Sequence, residues 1–246
     1  MAFLAGPALV STLGAGGYPA AGTVLAATLV VAGGLCLAAQ RRTAPPPSGT
    51  AGQHRTGRSL LRPGFAVLAG VNLAIGGFFG AIQISVTAFA LEHGAAGIAA
   101  ALFTVSSCAS LLGGWLYGLR QWRAVLRVQL AVAAGGLAIG CLPLLLARSP
   151  FELGSGLALT GLAVPLILIL CSLLAEASVH QAVLTQAFAW LNSASAAGSA
   201  GAAAAAGWAV DTFGMHGGLA VAAVAAGAMA VLALAGLRAP RVPQQR

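Results

Sequence analysis

Seven stretches of this chain are long and apolar enough to cross a bilayer, and its arginines fall almost entirely in alternate gaps between them. There is no Lys, so all 12 basic residues are Arg. Arg41, Arg42, Arg55, Arg58 and Arg62 share one gap, and Arg120, Arg123 and Arg127 lie two spans later. Arg238, Arg241 and Arg246 form the tail, and only Arg148 sits in a gap of opposite parity. An arginine at the centre of a membrane helix costs about 2.5–3.5 kcal/mol on insertion scales, and cytoplasmic loops collect positive charge. The pattern predicts a multi-pass protein of the cell membrane, with its long linker and its C-terminus in the cytoplasm.

Composition supports that class. Hydrophobic residues make up 59% of the chain and charged ones only 7%, against about 25% charged in a soluble domain. So few charges cannot cover a water-facing surface. A formal charge of +8 in a soluble protein would point to nucleic acid. Here the positives are spread over loops without a basic-aromatic face, so no nucleic acid is expected. The expected partner is the lipid bilayer, with anionic headgroups against the loop and tail arginines. Cys36, Cys108, Cys141 and Cys171 all lie in apolar stretches without CxxC spacing. They read as small buried hydrophobes, not as a disulfide framework or metal site. The N-terminus has no basic segment before its apolar run and does not read as a cleaved signal peptide.

Residues 2–13 are apolar but shorter than the roughly 20 residues a spanning helix needs. Residues 20–39 form the first full span. The linker at 40–62 carries Pro45-Pro46-Pro47 and several Gly and Ser, and reads as a flexible cytoplasmic connection. Six spans follow near 64–91, 95–118, 124–147, 153–175, 180–209 and 217–237, with a short tail at 239–246. Turns are expected at Glu92 to Gly94, Gly118 to Arg123, Arg148 to Glu152, Glu176 to His180 and Asp211 to His216. The spans must be helices, because every backbone amide in hydrocarbon needs a partner within its own segment. Long Ala/Leu/Gly-rich runs do not suit the short alternating strands of a barrel.

The six spans after the linker divide into two sets of three. The second helix of one set ends in Gly114-Trp115-Leu116-Tyr117-Gly118, and that of the other in Gly207-Trp208-Ala209-Val210-Asp211. These helices run in opposite directions, as an inverted three-plus-three repeat would have it.

No carboxylate, His or Lys sits near the centre of a full span. That removes a retinal Schiff base, axial haem ligands and the acidic clusters of metal-dependent lipid enzymes. No Ser/His pair suggests an activated nucleophile. Neither an enzyme nor a cofactor is expected. What remains are uncharged polar residues at helical spacing. Asn72, Gly76, Gly80, Gln83 and Thr87 share one face within roughly 80°. That face is either the wall of a polar cavity or a helix–helix seam, with Gln83 the better cavity candidate. Gln186, Trp190, Ser193 and Ala197 lie on one face of the 180–209 span, and Thr185, Asn192 and Ser199 on another. Trp190 reads as an interfacial anchor or as a ring for a substrate to stack on. Ser106, Ser110, Gly113 and Tyr117 form a stripe that reads chiefly as packing. Pro165 removes an amide bond from its helix and predicts a kink.

Several of these runs resemble one family. Phe79 to Ala90 followed by Glu92-His93-Gly94 looks like the seventh helix of actinobacterial major facilitator superfamily transporters. Gly113 to Arg123 looks like their loop between helices eight and nine, and Leu184 to Leu191 like the start of helix eleven. Gly6-Pro7 is similar to the Gly-Pro of helix five in antiporter members. The resemblance implies an all-α polytopic bundle. Residues 63–238 would be the C-terminal six-helix half, and residues 1–39 a remnant of the N-terminal half. It implies efflux of a small amphipathic molecule by proton antiport. Asn72, Gln83, Thr87, Gln186, Trp190 and Asn192 would then line the cavity from this half.

The departures are specific. Family members often carry Glu where Gln83 and Gln186 stand, and an amide takes up no proton. The family's loop signature has Asp where Gly118 stands. The family also has two six-helix halves that rock about a midplane site, whereas this chain would begin inside helix five. It is therefore expected to be a truncated product or to act with another chain. A non-transporting membrane scaffold is the alternative.

Overall fold

The computed structural model describes residues 63–92, 96–119, 124–179 and 183–238. The apolar stretch at 2–13, the span at 20–39, the linker at 40–62 and the tail at 239–246 lie outside the described residues, as do Arg120, Arg123 and His180. The described chain is six α-helices without a strand: α1 Pro63–Glu92, α2 Ala96–Leu119, α3 Leu126–Leu146, α4 Pro150–Ser178, α5 Leu184–Phe213 and α6 Met215–Arg238.

Five of the six, all but α5, are long and apolar enough to cross a membrane. Their outer surface agrees: Val132, Ile139, Leu142 and Leu146 of α3 and Val224, Val231 and Leu234 of α6 are all exposed. So much exposed aliphatic surface suits lipid rather than water. The exception corrects the expectation that all six helices read alike. With 30 residues, α5 has the length, but Ser, Gly, Thr185, Gln186, Asn192 and Asp211 dilute its apolar content.

Several helix ends also differ from the expected boundaries. The turn expected to end at Glu152 ends at Ser149, because a capping box starts α4 there. Ser149 Oγ accepts from the Glu152 amide at 3.2 Å, and the Glu152 carboxylate accepts from the amides of Ser149 at 3.2 Å and Arg148 at 2.7 Å. Pro150 stands at the first helical position, where its missing N–H costs nothing. At its other end α4 runs to Ser178, past the turn expected from Glu176. The turn expected over Asp211 to His216 shrinks to Gly214. Its φ of 68° lies in the left-handed region that favours glycine, and its amide donates to Val210 O at 2.8 Å. Pro165 lies inside α4, and the helix continues through it.

The helices pack in a pattern of exchange. α1 packs mainly on α5 and α6, and α4 mainly on α2 and α3, while α3 and α6 pack on each other. Gly76 faces Ser195 and Gly80 faces Ser199, so α1 and α5 run parallel. Gly154 faces Leu102 and Gly161 faces Ser106 and Ala109, so α4 and α2 run parallel too. Gly70 meets Leu232 and Gly218 meets Ser85, which makes α1 and α6 antiparallel. Gly140 meets Thr160 and Gly156 meets Leu144, which does the same for α3 and α4. Swapping the first three helices with the last three reproduces these pairings, but not that of α5 on α6, whose counterpart, α2 on α3, is not a main contact.

Small residues hold the seams. Lipid tails are as apolar as Leu, so helices in a membrane associate through close packing and hydrogen bonds rather than hydrophobic exclusion. A Cβ at Gly76 would strike Ser195 O, and one at Gly198 would strike Leu73 O. Between the seams the interior is filled by Val71, Ile75, Phe89, Leu137, Leu144, Leu157, Ile167 and Met229, all essentially inaccessible.

Candidate functional site

α1 and α4 touch each other, and α2 and α5 each touch both, with α3 and α6 closing the opposite side. A small open cleft lies where α1, α2 and α4 meet. Its apolar wall is Phe78, Phe79 and Ile82 from α1, Phe103 from α2, and Leu157 and Val164 from α4. Its polar groups are Gln83, Ser106, Ser107, Ser110 and Thr160.

These side chains reach the cleft by helical register. Residues 78, 79, 82 and 83 follow the i, i+1, i+4, i+5 spacing of one α1 face. The rings of Phe78 and Phe79 meet edge to face, with centroids 6.1 Å apart at 62°. Ser106 and Ser110 lie one turn apart on α2. Ser110 Oγ donates to Gly161 O at 2.9 Å, a bond between α2 and α4. Thr160 Oγ1 donates to Gly156 O at 3.0 Å, within its own helix. The hydroxyl protons of Ser110 and Thr160 are therefore committed to backbone carbonyls, while their oxygens can still accept. The exposed Gln83 amide makes no hydrogen bond among the described residues and projects where the cleft opens.

The α1 face read from the sequence divides between the two roles left open for it. Gly76 and Gly80 form the seam with α5. Asn72 is buried, and its Nδ2 donates to Leu68 O at 2.9 Å, so it braces its own helix. Gln83 lines the cleft. Thr87 is exposed one turn further on, and its hydroxyl donates to Gln83 O at 2.7 Å. Gln186, Trp190 and Asn192 are exposed on α5 and do not line this cleft. Trp190 is 59% exposed and only six residues from the start of α5, nearer the helix end than the expected boundary at 180 put it. Trp115 and Trp208 are also exposed near helix ends, where tryptophans anchor membrane helices at the interface.

The α2 stripe is largely packing. Besides the Ser110 bond, Gly113 rests on Leu162 O, and Tyr117 Oη donates to Gln129 Oε1 at 2.7 Å, tying α2 to α3. Ser106 is the member of the stripe that also faces the cleft. The aromatic wall and Thr160 went unsingled in the sequence, because nothing in a single helix tells which residues of three helices converge.

Charge stays at the ends of the bundle. Arg127 Nη1 donates to Gly236 O at 3.3 Å, joining the start of α3 to the last turn of α6. A cation there also suits the negative end of the α6 dipole. At the opposite end Glu92 approaches Gly214. Among the described residues there is no cluster of His, Cys, Asp or Glu that could hold a metal. Cys141 and Cys171 are buried free thiols, and Cys108 is an exposed one. No family model matches the chain, and no curated protein or solved structure matches it either.

Proposed function

We propose that the chain carries a small molecule across the cell membrane as part of a secondary transporter of the major facilitator type. The observation that carries this reading is the cleft. It gathers the Gln83 amide and several hydroxyls beside three aromatic rings, in a bundle whose α3 and α6 present an aliphatic outer face. A ligand site between helices of this kind is apolar with a few directed polar groups. The exchange-related packing of α1–α3 and α4–α6 is the arrangement that transporter halves built from inverted repeats share.

In this reading the described helices are the C-terminal half, and an N-terminal half or another chain supplies the opposing wall. Gln186, Trp190, Asn192 and Thr87 then face the shared cavity from α5 and α1, and Asn72 braces it. Arg127, the linker and the tail lie on the cytoplasmic side. Transport is outward, as the family resemblance implies. No carboxylate among the described residues lines the cleft, so a coupling proton would bind on the opposing wall.

The test is export from an efflux-deficient bacterial host expressing the chain, read as lowered accumulation of fluorescent amphipathic dyes. The reading expects lowered accumulation that Gln83→Ala abolishes. Accumulation equal to that of the empty host, with or without an upstream half supplied, counts against it.

The exposed face of α5 favours a second reading, a non-transporting membrane scaffold. Thr185, Gln186, Asn192 and Ser193 are exposed there among alanines, and polar amides facing lipid are costly. A scaffold would migrate as a stable complex that cross-links through α5, and no substrate would alter it.

A further inference from the structure

A carboxylate entering a membrane cleft gives up hydration, and it binds well only where a counter-charge or several hydrogen-bond donors replace that water. This cleft holds no counter-charge among the described residues. Every residue lining it is apolar, a hydroxyl, a glycine or the Gln83 amide. The nearest carboxylate along α1, that of Glu92, lies nine residues beyond Gln83, about 14 Å along the helix. Glu152 is spent on the amides of Arg148 and Ser149 at the start of α4, and Arg127 is joined to the end of α6.

The remaining groups select by shape and hydrogen bonding. Phe78, Phe79 and Phe103 offer ring faces and edges that suit an aromatic body. With the hydroxyl protons of Ser110 and Thr160 committed to backbone carbonyls, Gln83 is the strongest donor group of the cleft, and Ser106 and Ser107 lie on its α2 wall. An amide both donates and accepts. It therefore pairs best with a ligand group that does the same, such as an amide or a hydroxyl next to a carbonyl.

Resting on the transport reading of this cleft, we infer that its ligand carries an aromatic body and an amide-like hydrogen-bonding group held by Gln83, and that carboxylates of the same shape are excluded. The selection is made by the cleft itself, before any movement of the helices.

Two isosteric probes test it: biphenyl-4-carboxamide and biphenyl-4-carboxylate. They differ in charge and share two rings. Binding is read by saturation-transfer NMR on the full chain in nanodiscs, with empty nanodiscs subtracted. The expected result is that the carboxamide binds at least about tenfold more tightly than the carboxylate. Gln83→Leu, on an exposed side chain and with an unchanged melting temperature, abolishes that margin. Equal or tighter binding of the carboxylate overturns the inference and leaves the transport reading standing. The same holds for a margin that survives Gln83→Leu. If neither probe binds above the empty discs, the cleft is not a site for this class and the inference fails. The export assay, which uses other molecules, judges the transport reading separately.

Discussion

The hydroxyl of Ser110 donates to the carbonyl of Gly161 at 2.9 Å, a bond that crosses from α2 to α4 at the floor of the cleft. It is buried, and Gly161 can approach so closely because a Cβ there would crowd Ser106 O. Such bonds between membrane helices contribute about 0.6 kcal/mol on average and up to about 1.7 kcal/mol. Ser110→Ala is expected to lower stability by that amount in mixed-micelle unfolding. Ser172→Ala, whose hydroxyl bonds only its own helix at Leu168 O, is expected to change it less. The reverse ranking would remove the bond from the account.

The α1–α5 seam makes a sharper prediction. Gly76 and Gly80 lie against the backbone of Ser195 and Ser199. Overfilling a packed interface costs about 1–3 kcal/mol and sometimes more. Gly76→Leu is expected to lower the melting temperature markedly and to separate α5 from α1 in cross-linking. Gly135→Leu, where a Cβ meets only open space, is expected to leave both readings near wild type.

The start of α4 rests on a single capping box. Removing an N-cap hydroxyl costs about 0.5–2 kcal/mol, so Ser149→Ala is expected to destabilise within that range, and Ser149→Asp to retain most of the stability. Hydrogen exchange at the amides of Phe151 and Glu152 reads the effect locally. Unchanged exchange in Ser149→Ala would mean that the cap is not what starts the helix.

The sidedness of the bundle can be read with reporters. Arg127 and Gly236 meet at one end, and Glu92 and Gly214 lie at the other. A cytoplasm-active reporter is expected to work when fused after Arg246, and a periplasm-active one when inserted at Gly214. The opposite pattern would reverse the orientation read from the arginines.

Much of this architecture was legible in the sequence, because in a membrane the length and apolarity of a segment nearly dictate its fold. The helices α1 to α4 and α6 follow directly from their runs. The beginning of α4 was misread because Glu152 looks like part of a turn, although the capping-box spacing of Ser149-Pro150-Phe151-Glu152 outranks its polarity. The end of α5 was misread because Asp211 and Thr212 look like a turn, although only Gly214 has the backbone freedom to make one. The cleft was half legible. Helical spacing put Gln83 on a face with Gly76 and Gly80, but the face divides between a seam and a cavity. That division depends on where α5 and α2 lie, and no period within α1 encodes it. The aromatic wall has the same cause: Phe103 joins Phe78 and Phe79 only once α2 is packed on α4.

In the transport reading Gln83 faces a water-accessible cleft rather than lipid. The direct measurement is labelling by a membrane-impermeant maleimide of Gln83→Cys, in a chain whose Cys36, Cys108, Cys141 and Cys171 are replaced by Ala. Ile139→Cys on the outer face of α3, 69% exposed, is the comparison. The account predicts fast labelling at residue 83, slowed by an occupying ligand, and none at residue 139. Equal protection of both positions would place Gln83 against lipid or a packed partner and would contradict the account.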